Sequence, residues 1–332
     1  MSMVIDFGTS RLRISTAQSP DFISEASVVA RREEGPIVTG DEALRMVGRT
    51  PKSVEIVWPV VAGAVRESEA AVTLLQRMVS QHFPRGLGLR MPITMALPAN
   101  LTSVERRGLE EVAHQAGAKQ VRFIDSLVAA AIGAGLAVDT PQGALVVDLG
   151  AGTTEVGLLS MRGVVSSQRL PRGMSEIDEE VVETIRRDYG FLVGLHAVQQ
   201  VKHQLADDET ETFVLVGRNL ATGLPGKVEV KRQAFEAPLA AYYTQIVDLI
   251  RTTIESCPPE LVGDIMDKGV VLVGGGANSV VIQKALQSRI EVPISAADDP
   301  DHAVIRGLKQ LSKQQGGAHG LKERARSLLR TS

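Results

Sequence analysis

Short β-branched and aliphatic runs alternate along the chain with longer segments whose apolar residues recur every three to four positions. The short runs predict strands at 3–7, 11–16, 92–97, 121–124, 144–148, 155–160, 164–168, 213–216, 227–230 and 269–273. The longer segments predict helices at 68–82, 103–116, 126–136, 175–188, 195–206, 231–255, 280–288 and 301–313. Strands and helices that alternate in this way argue for an α/β fold with helices flanking sheets. Pro98, Pro141, Pro171, Pro258 and Pro259 punctuate element ends, and Ser103 is the expected N-cap of the helix it begins.

Two of the strands end alike. Val4-Ile5-Asp6-Phe7-Gly8-Thr9-Ser10 and Val146-Val147-Asp148-Leu149-Gly150-Ala151-Gly152-Thr153-Thr154 each run a buried strand into an aspartate and a small-residue turn rich in hydroxyls. Glycine lets the backbone N–H groups of such a turn come close to phosphate oxygens, and the aspartate sets a carboxylate beside them. One such turn alone is an ordinary strand end. Two suggest facing phosphate clips. A third glycine turn, Gly274-Gly275-Gly276-Ala277, follows the strand at 269–273 and precedes a helix whose first N–H groups are free.

Composition narrows the choice of ligand. The chain has 332 residues, more than one core usually supports, so two lobes with a cleft between them are expected. A net charge of -3 supplies no basic field, so nucleic acid is not an expected partner. The single Cys257 rules out an internal disulfide and fits a reducing cytoplasm, and the six histidines are too scattered for a metal cluster. The first residues already read as a strand, so no signal peptide is expected, and the Ala/Gly-rich run over 126–138 is too short to span a bilayer.

The two turns, Ala96-Leu97-Pro98-Ala99-Asn100, the run Ala129 to Leu136 and the triple-glycine turn together resemble the actin, heat-shock chaperone and sugar-kinase superfamily. Val38-Thr39-Gly40-Asp41-Glu42-Ala43, Arg218-Asn219-Leu220-Ala221-Thr222-Gly223 and Cys257-Pro258-Pro259-Glu260-Leu261 are phrased as in its bacterial MreB-type branch. The resemblance runs from Met3 to about Leu311. It implies an α/β actin-like fold of two related lobes, each a mixed sheet flanked by helices, around a nucleotide cleft. The first lobe would comprise 1–136 plus 312–332, with a small subdomain at 30–62; the second would comprise 137–311, with a small subdomain at 174–240. ATP and Mg²⁺ are the implied cofactors. Asp6 and Asp148 would hold the hydrated metal, a hard cation suited to oxygen ligands. Gly8, Thr9, Ser10 and Arg11 would face the phosphates from one side; Gly150, Ala151, Gly152, Thr153 and Thr154 would face them from the other. Gly274, Gly275, Gly276 and Ala277 would lie against the adenosine, and Lys202 and Gln199 would reach the base and ribose.

Four departures from the family pattern fall at the implied site. Ile124-Asp125-Ser126-Leu127 puts Ser126 where the family has a glutamate that positions the attacking water, with Asp125 next door as a less favoured substitute. Gln199 and Gln204 replace acids, Gly173-Met174-Ser175 replaces a Gly-Gly-Asp turn, and Arg11 replaces a smaller polar residue. The expected protein is a nucleotide-binding bacterial actin with slow or lost hydrolysis, which self-associates into filaments for cell shape or intracellular organisation. A non-polymerising or copolymerising regulator of a conventional relative is the alternative, and a small-molecule kinase a distant one. Membrane contact through the loop at 83–91 or the amphipathic tail at 321–330 is a further expectation for an otherwise cytoplasmic protein.

Overall fold

The computed structural model describes residues 2–314 except 17, 33–34, 84–91 and 206–209. Of the two expected membrane contacts, the loop at 83–91 lies outside the described residues apart from Phe83, and the tail at 321–330 lies wholly outside them. Among the described residues, no helix is long and apolar enough to cross a membrane.

Two five-stranded mixed sheets organise the molecule. In the first, Met3–Phe7 pairs antiparallel with Arg11–Thr16 and parallel with Ile93–Leu97, and Val121–Asp125 and Ile23–Ala26 form the edges. The second repeats the design, with Ala144–Leu149 antiparallel to Thr154–Ser160, parallel to Val270–Val273, and flanked by Gly163–Leu170 and Ile294–Ala296. Both central strands are buried along most of their length, which is why they read as continuous apolar runs. Two three-stranded sheets stand apart from these. One comprises Val38–Thr39, Val29–Arg32 and Val54–Val57; the other comprises Phe191–Val193, Thr212–Asn219 and Pro225–Lys231.

Helix Ser126–Gly133 lies between the large sheets. Leu127, Val128 and Ala130 pack with Val146, Leu159 and Val273 of the second, while Ala129 packs with Val4 and Ala96 of the first. Helix 303–314 crosses it and closes the first core with Ile305 and Leu308. Lys309 Nζ donates to the carbonyls of Pro20 and Asp21. The apolar face of this helix is divided between both sheets, Ala303 packing with Val146 of the second and Ile305 and Leu308 with Val4 of the first.

The start of helix Ser103–Gln115 also differs from expectation. Its N-cap is Thr102 rather than Ser103: Thr102 Oγ1 accepts from the Glu105 amide while the Glu105 carboxylate accepts from the Thr102 amide, a complete capping box.

Candidate functional site

The cleft between the two large sheets encloses about 710 Å³. Its floor is built by the two turns that the strands Met3–Phe7 and Ala144–Leu149 run into. They meet face to face: a Cβ on Gly152 would stand 2.5 Å from Thr9 Oγ1. Within each turn a glycine amide closes the loop, Gly8 onto the Arg11 carbonyl at 3.0 Å and Gly150 onto the Thr153 carbonyl at 2.9 Å. The backbone of Gly173, Met174 and Ser175 seals the second turn from behind. The amides of Met174 and Ser175 donate to the carbonyls of Gly150 and Ala151, and a Cβ on Gly173 would lie 2.5 Å from those same carbonyls. The altered sequence of this segment thus keeps the one glycine whose missing side chain the contact requires.

Asp6 and Asp148 project into the cleft from the two central strands. Burial raises both carboxyls above the ordinary range, and the Asp6 charge helps to push Asp148 to about 7. Arg13, directly opposite Asp6 in the strand register, puts Nη1 3.3 Å from Asp6 Oδ2. Two half-buried carboxylates that repel one another suit a cation between them. Among the described residues no cluster of three or more acidic, histidine or cysteine side chains could cage a metal. The donor set therefore fits a cation that keeps waters and takes phosphate oxygens as well, as Mg²⁺ does.

Gly274 has φ +79°, and a Cβ there would lie 2.3 Å from Asp148 Oδ1, so only glycine carries the chain past the aspartate. Gly275, Gly276 and Asn278 line the cleft. Ala277 instead packs in the core of the second sheet. On the far wall, helix Leu195–Gln204 presents Gln199 and Lys202, and both are held by Asp178 of helix Met174–Tyr189. Gln199 Nε2 donates to Asp178 Oδ2 at 3.0 Å, and Lys202 Nζ forms an ion pair with Oδ1. Asp178 is almost fully buried and lines the cleft. It supplies the acid at this wall now that residue 199 is an amide.

Several expected residues sit differently. Thr154 is fully buried, and its hydroxyl bonds Tyr242 OH at 2.6 Å and the Arg172 carbonyl at 2.9 Å, away from the cleft. Strand alternation is the reason. In the hairpin register Thr154 opposes Leu149, whereas Glu155 opposes Asp148, so Glu155 faces the cleft in its place. Arg11 borders the cleft, but its guanidinium is bound to Asp41 Oδ1 at 2.6 Å and to Ser24 Oγ at 3.1 Å. Asp125 is not among the lining residues; Oδ1 accepts from the Leu127 amide at 2.9 Å and caps helix Ser126–Gly133.

Ser126 does line the cleft, and it has an unforeseen partner. Its hydroxyl donates to Glu155 Oε2 at 2.6 Å, and the same oxygen accepts from the Ala99 amide at 3.0 Å. Glu155 is buried, and the loss of water, reinforced by the nearby Asp148 charge, drives its carboxyl up to about 8. Its signal in the sequence was its place seven residues after Asp148, across a tight hairpin.

Comparison with known proteins agrees with this architecture. The profile described as MreB/Mbl protein matches residues 1–318. The cell shape-determining protein MreB of Escherichia coli (strain K12) is 34% identical over 314 residues, covering 91% of this chain and 90% of its own length. The cell shape-determining protein Mbl of Bacillus subtilis (strain 168) is 32% identical over 309 residues, covering 91% of this chain and 93% of its own. Among solved structures, MreB5 of Spiroplasma citri bound to AMPPNP superposes with a TM-score of 0.89 at 28% identity, covering 97% of this chain and 98% of that one. The MamK double helical filament shares the fold, with a TM-score of 0.77 at 20% identity, covering 94% of this chain and 99% of that one. A profile match across nearly the whole chain, full-length relatives and an actin-like architecture lead to one conclusion: this chain belongs to the MreB/Mbl family.

Proposed function

We propose that the protein binds ATP in the cleft between its two large sheets, self-associates into actin-like filaments, and hydrolyses ATP slowly. The observation that carries this reading is the approach of Gly152 to Thr9, which sets the two glycine turns against each other beside Asp6 and Asp148. The phosphates would lie between the turns, on the amides around Gly8 and Gly150. Asp6 and Asp148 would hold Mg²⁺ through its water shell, and the ion would neutralise phosphate charge and fix the phosphate orientation. Gln199, Lys202 and Asp178 would receive the base and ribose. The family relative crystallised with AMPPNP supports the nucleotide, and the MamK structure is that of a filament.

Slow turnover follows from Ser126. Its hydroxyl is already committed to Glu155, whose carboxyl burial and the nearby Asp148 charge push up to about 8, which favours the neutral form over the carboxylate a base needs. The test is ATP turnover and sedimentation measured together on wild type and Ser126→Glu. A carboxylate at 126 would crowd the buried Glu155, so the double variant Ser126→Glu/Glu155→Gln belongs in the same experiment. Wild type should pellet with ATP at low turnover, and the double variant should gain about 100-fold in rate. Ordinary turnover by wild type would refute the hydrolysis claim. Wild type that binds ATP without pelleting, but pellets once a conventional MreB is added, would establish the copolymerising alternative.

A further inference from the structure

Arg13 is a weakly held cation of the cleft. It projects from strand Arg11–Thr16 beside Asp6, and its only side-chain hydrogen bond among the described residues is the 3.3 Å contact to Asp6 Oδ2. That is long for a charge-assisted bond. Its Nε is buried without a partner. A guanidinium carries five donors, and a buried donor left unsatisfied is costly, so a cleft wall of this kind is incomplete until an acceptor arrives. Arg11, two residues earlier on the same strand face, cannot be that group, because Asp41 and Ser24 already hold it. Arg13 borders the same cavity as Gly8, Thr9, Gly150 and Gly152.

We propose that Arg13 is a phosphate-binding residue that leaves Asp6 for the phosphate chain of the nucleotide and makes nucleotide binding by this protein less dependent on a divalent cation. The proposal rests on the nucleotide reading of the cleft. Beside Asp6, Arg13 offsets the charge that this carboxylate brings next to Asp148. With nucleotide present, the guanidinium turns its fork to phosphate oxygens, the anion geometry it matches best. Asp6 is then released to the water shell of the metal when metal is available. Without metal, Arg13 still offsets part of the phosphate charge.

The experiment is calorimetric titration of ATP and ADP into the full-length protein, in Mg²⁺ and in EDTA, for wild type, Arg13→Leu and Arg13→Lys. Wild type should keep measurable affinity in EDTA. Arg13→Leu should lose about 10- to 100-fold there, the range for hydrogen bonds to charged groups. In Mg²⁺ it should lose much less, because Asp6 is then wholly free for the metal. The ratio of the dissociation constants in EDTA and Mg²⁺ should therefore widen in Arg13→Leu, while a merely structural role would weaken binding equally under both conditions. Arg13→Lys keeps one positive charge without the fork and should fall between. It also decides the question if Arg13→Leu is too unstable to titrate. An EDTA to Mg²⁺ ratio unchanged in Arg13→Lys and Arg13→Leu overturns the proposal. Absence of ATP binding by wild type in Mg²⁺ overturns the nucleotide reading itself, and Arg13's role with it, which separates the two failures.

Discussion

Glu155 shows how much a single buried group can govern. Its folded pKa of about 8 lies above the ordinary glutamate value of 4.5, so between those limits the folded protein holds a proton that the unfolded chain releases. Stability must then fall as pH rises through that window, since the state binding fewer protons is favoured at higher pH. Asp148, raised to about 7, acts in the same direction. Glu155→Gln keeps the shape and an oxygen to accept from Ser126 and Ala99, but removes the ionisation. In metal-free, nucleotide-free protein the variant should be more stable than wild type at pH 8.5, and the difference should shrink towards pH 5. Urea unfolding at the two pH values checks this; parallel pH slopes for variant and wild type would refute it. The sequence held the identity of Glu155 but not its direction, because the side chain's face depends on the register Asp148 opposite Glu155. The same missing register made Thr154 look like a phosphate contact. The sequence pointed to Arg11 and passed over Arg13 on the same strand face, because only Asp41, thirty residues on from Arg11, shows that Arg11 is already bound.

At the scale of elements, the crossing of helix Ser126–Gly133 with helix 303–314 joins the two halves, and it works by the absence of side chains. A Cβ on Gly133 would lie 1.8 Å from the Ala303 carbonyl oxygen, and a Cβ on Gly307 would lie 1.8 Å from that of Ala129. Backbone blocks both positions, so neither clash is relieved by a rotamer change. Gly133→Ala and Gly307→Ala should each cost at least about 2 kcal/mol in thermal or urea unfolding. Gly263, inside helix Pro259–Lys268, provides the control: a Cβ there meets nothing within 4 Å, so Gly263→Ala should stabilise by about 0.5–1 kcal/mol. Equal effects at all three positions would rule out the close crossing. Long periodic helices and the central strands were legible in sequence because their apolar spacing repeats over several turns or residues. The two-residue strands Val60–Val61 and Ala64–Val65 carry no period to read. Helix Pro259–Lys268 was hidden for another reason. Pro258-Pro259 reads as a chain break, yet Pro259 opens the helix at its first turn, where no amide is needed.

At the scale of the whole molecule, the sequence contained the three glycine turns but not their meeting, which needs two sheets folded towards one another across the central helix. The proposed self-association is still less legible, because it would depend on which residues the fold leaves outside. In strand Thr212–Asn219, Phe213 and Leu215 face the core while Val214 and Val216 are 60% and 66% exposed. Opposite them on Pro225–Lys231 stand Glu229 and Lys227, and Leu192 joins the same face through its pairing with Arg218. A surface that mixes large apolar side chains with both signs of charge can meet a different surface of a second copy head to tail, and such a contact builds an open filament when its rotation does not close into a ring. The small sheet's outward side carries this combination. Val214→Lys with Val216→Lys puts two further cations there without touching Phe213 or Leu215. The pair should abolish ATP-dependent pelleting while leaving the unfolding temperature and ATP affinity near wild type. If pelleting persists, filament contacts lie elsewhere on the molecule. If pelleting and ATP affinity fall together, the small sheet acts on the cleft rather than on a neighbouring subunit.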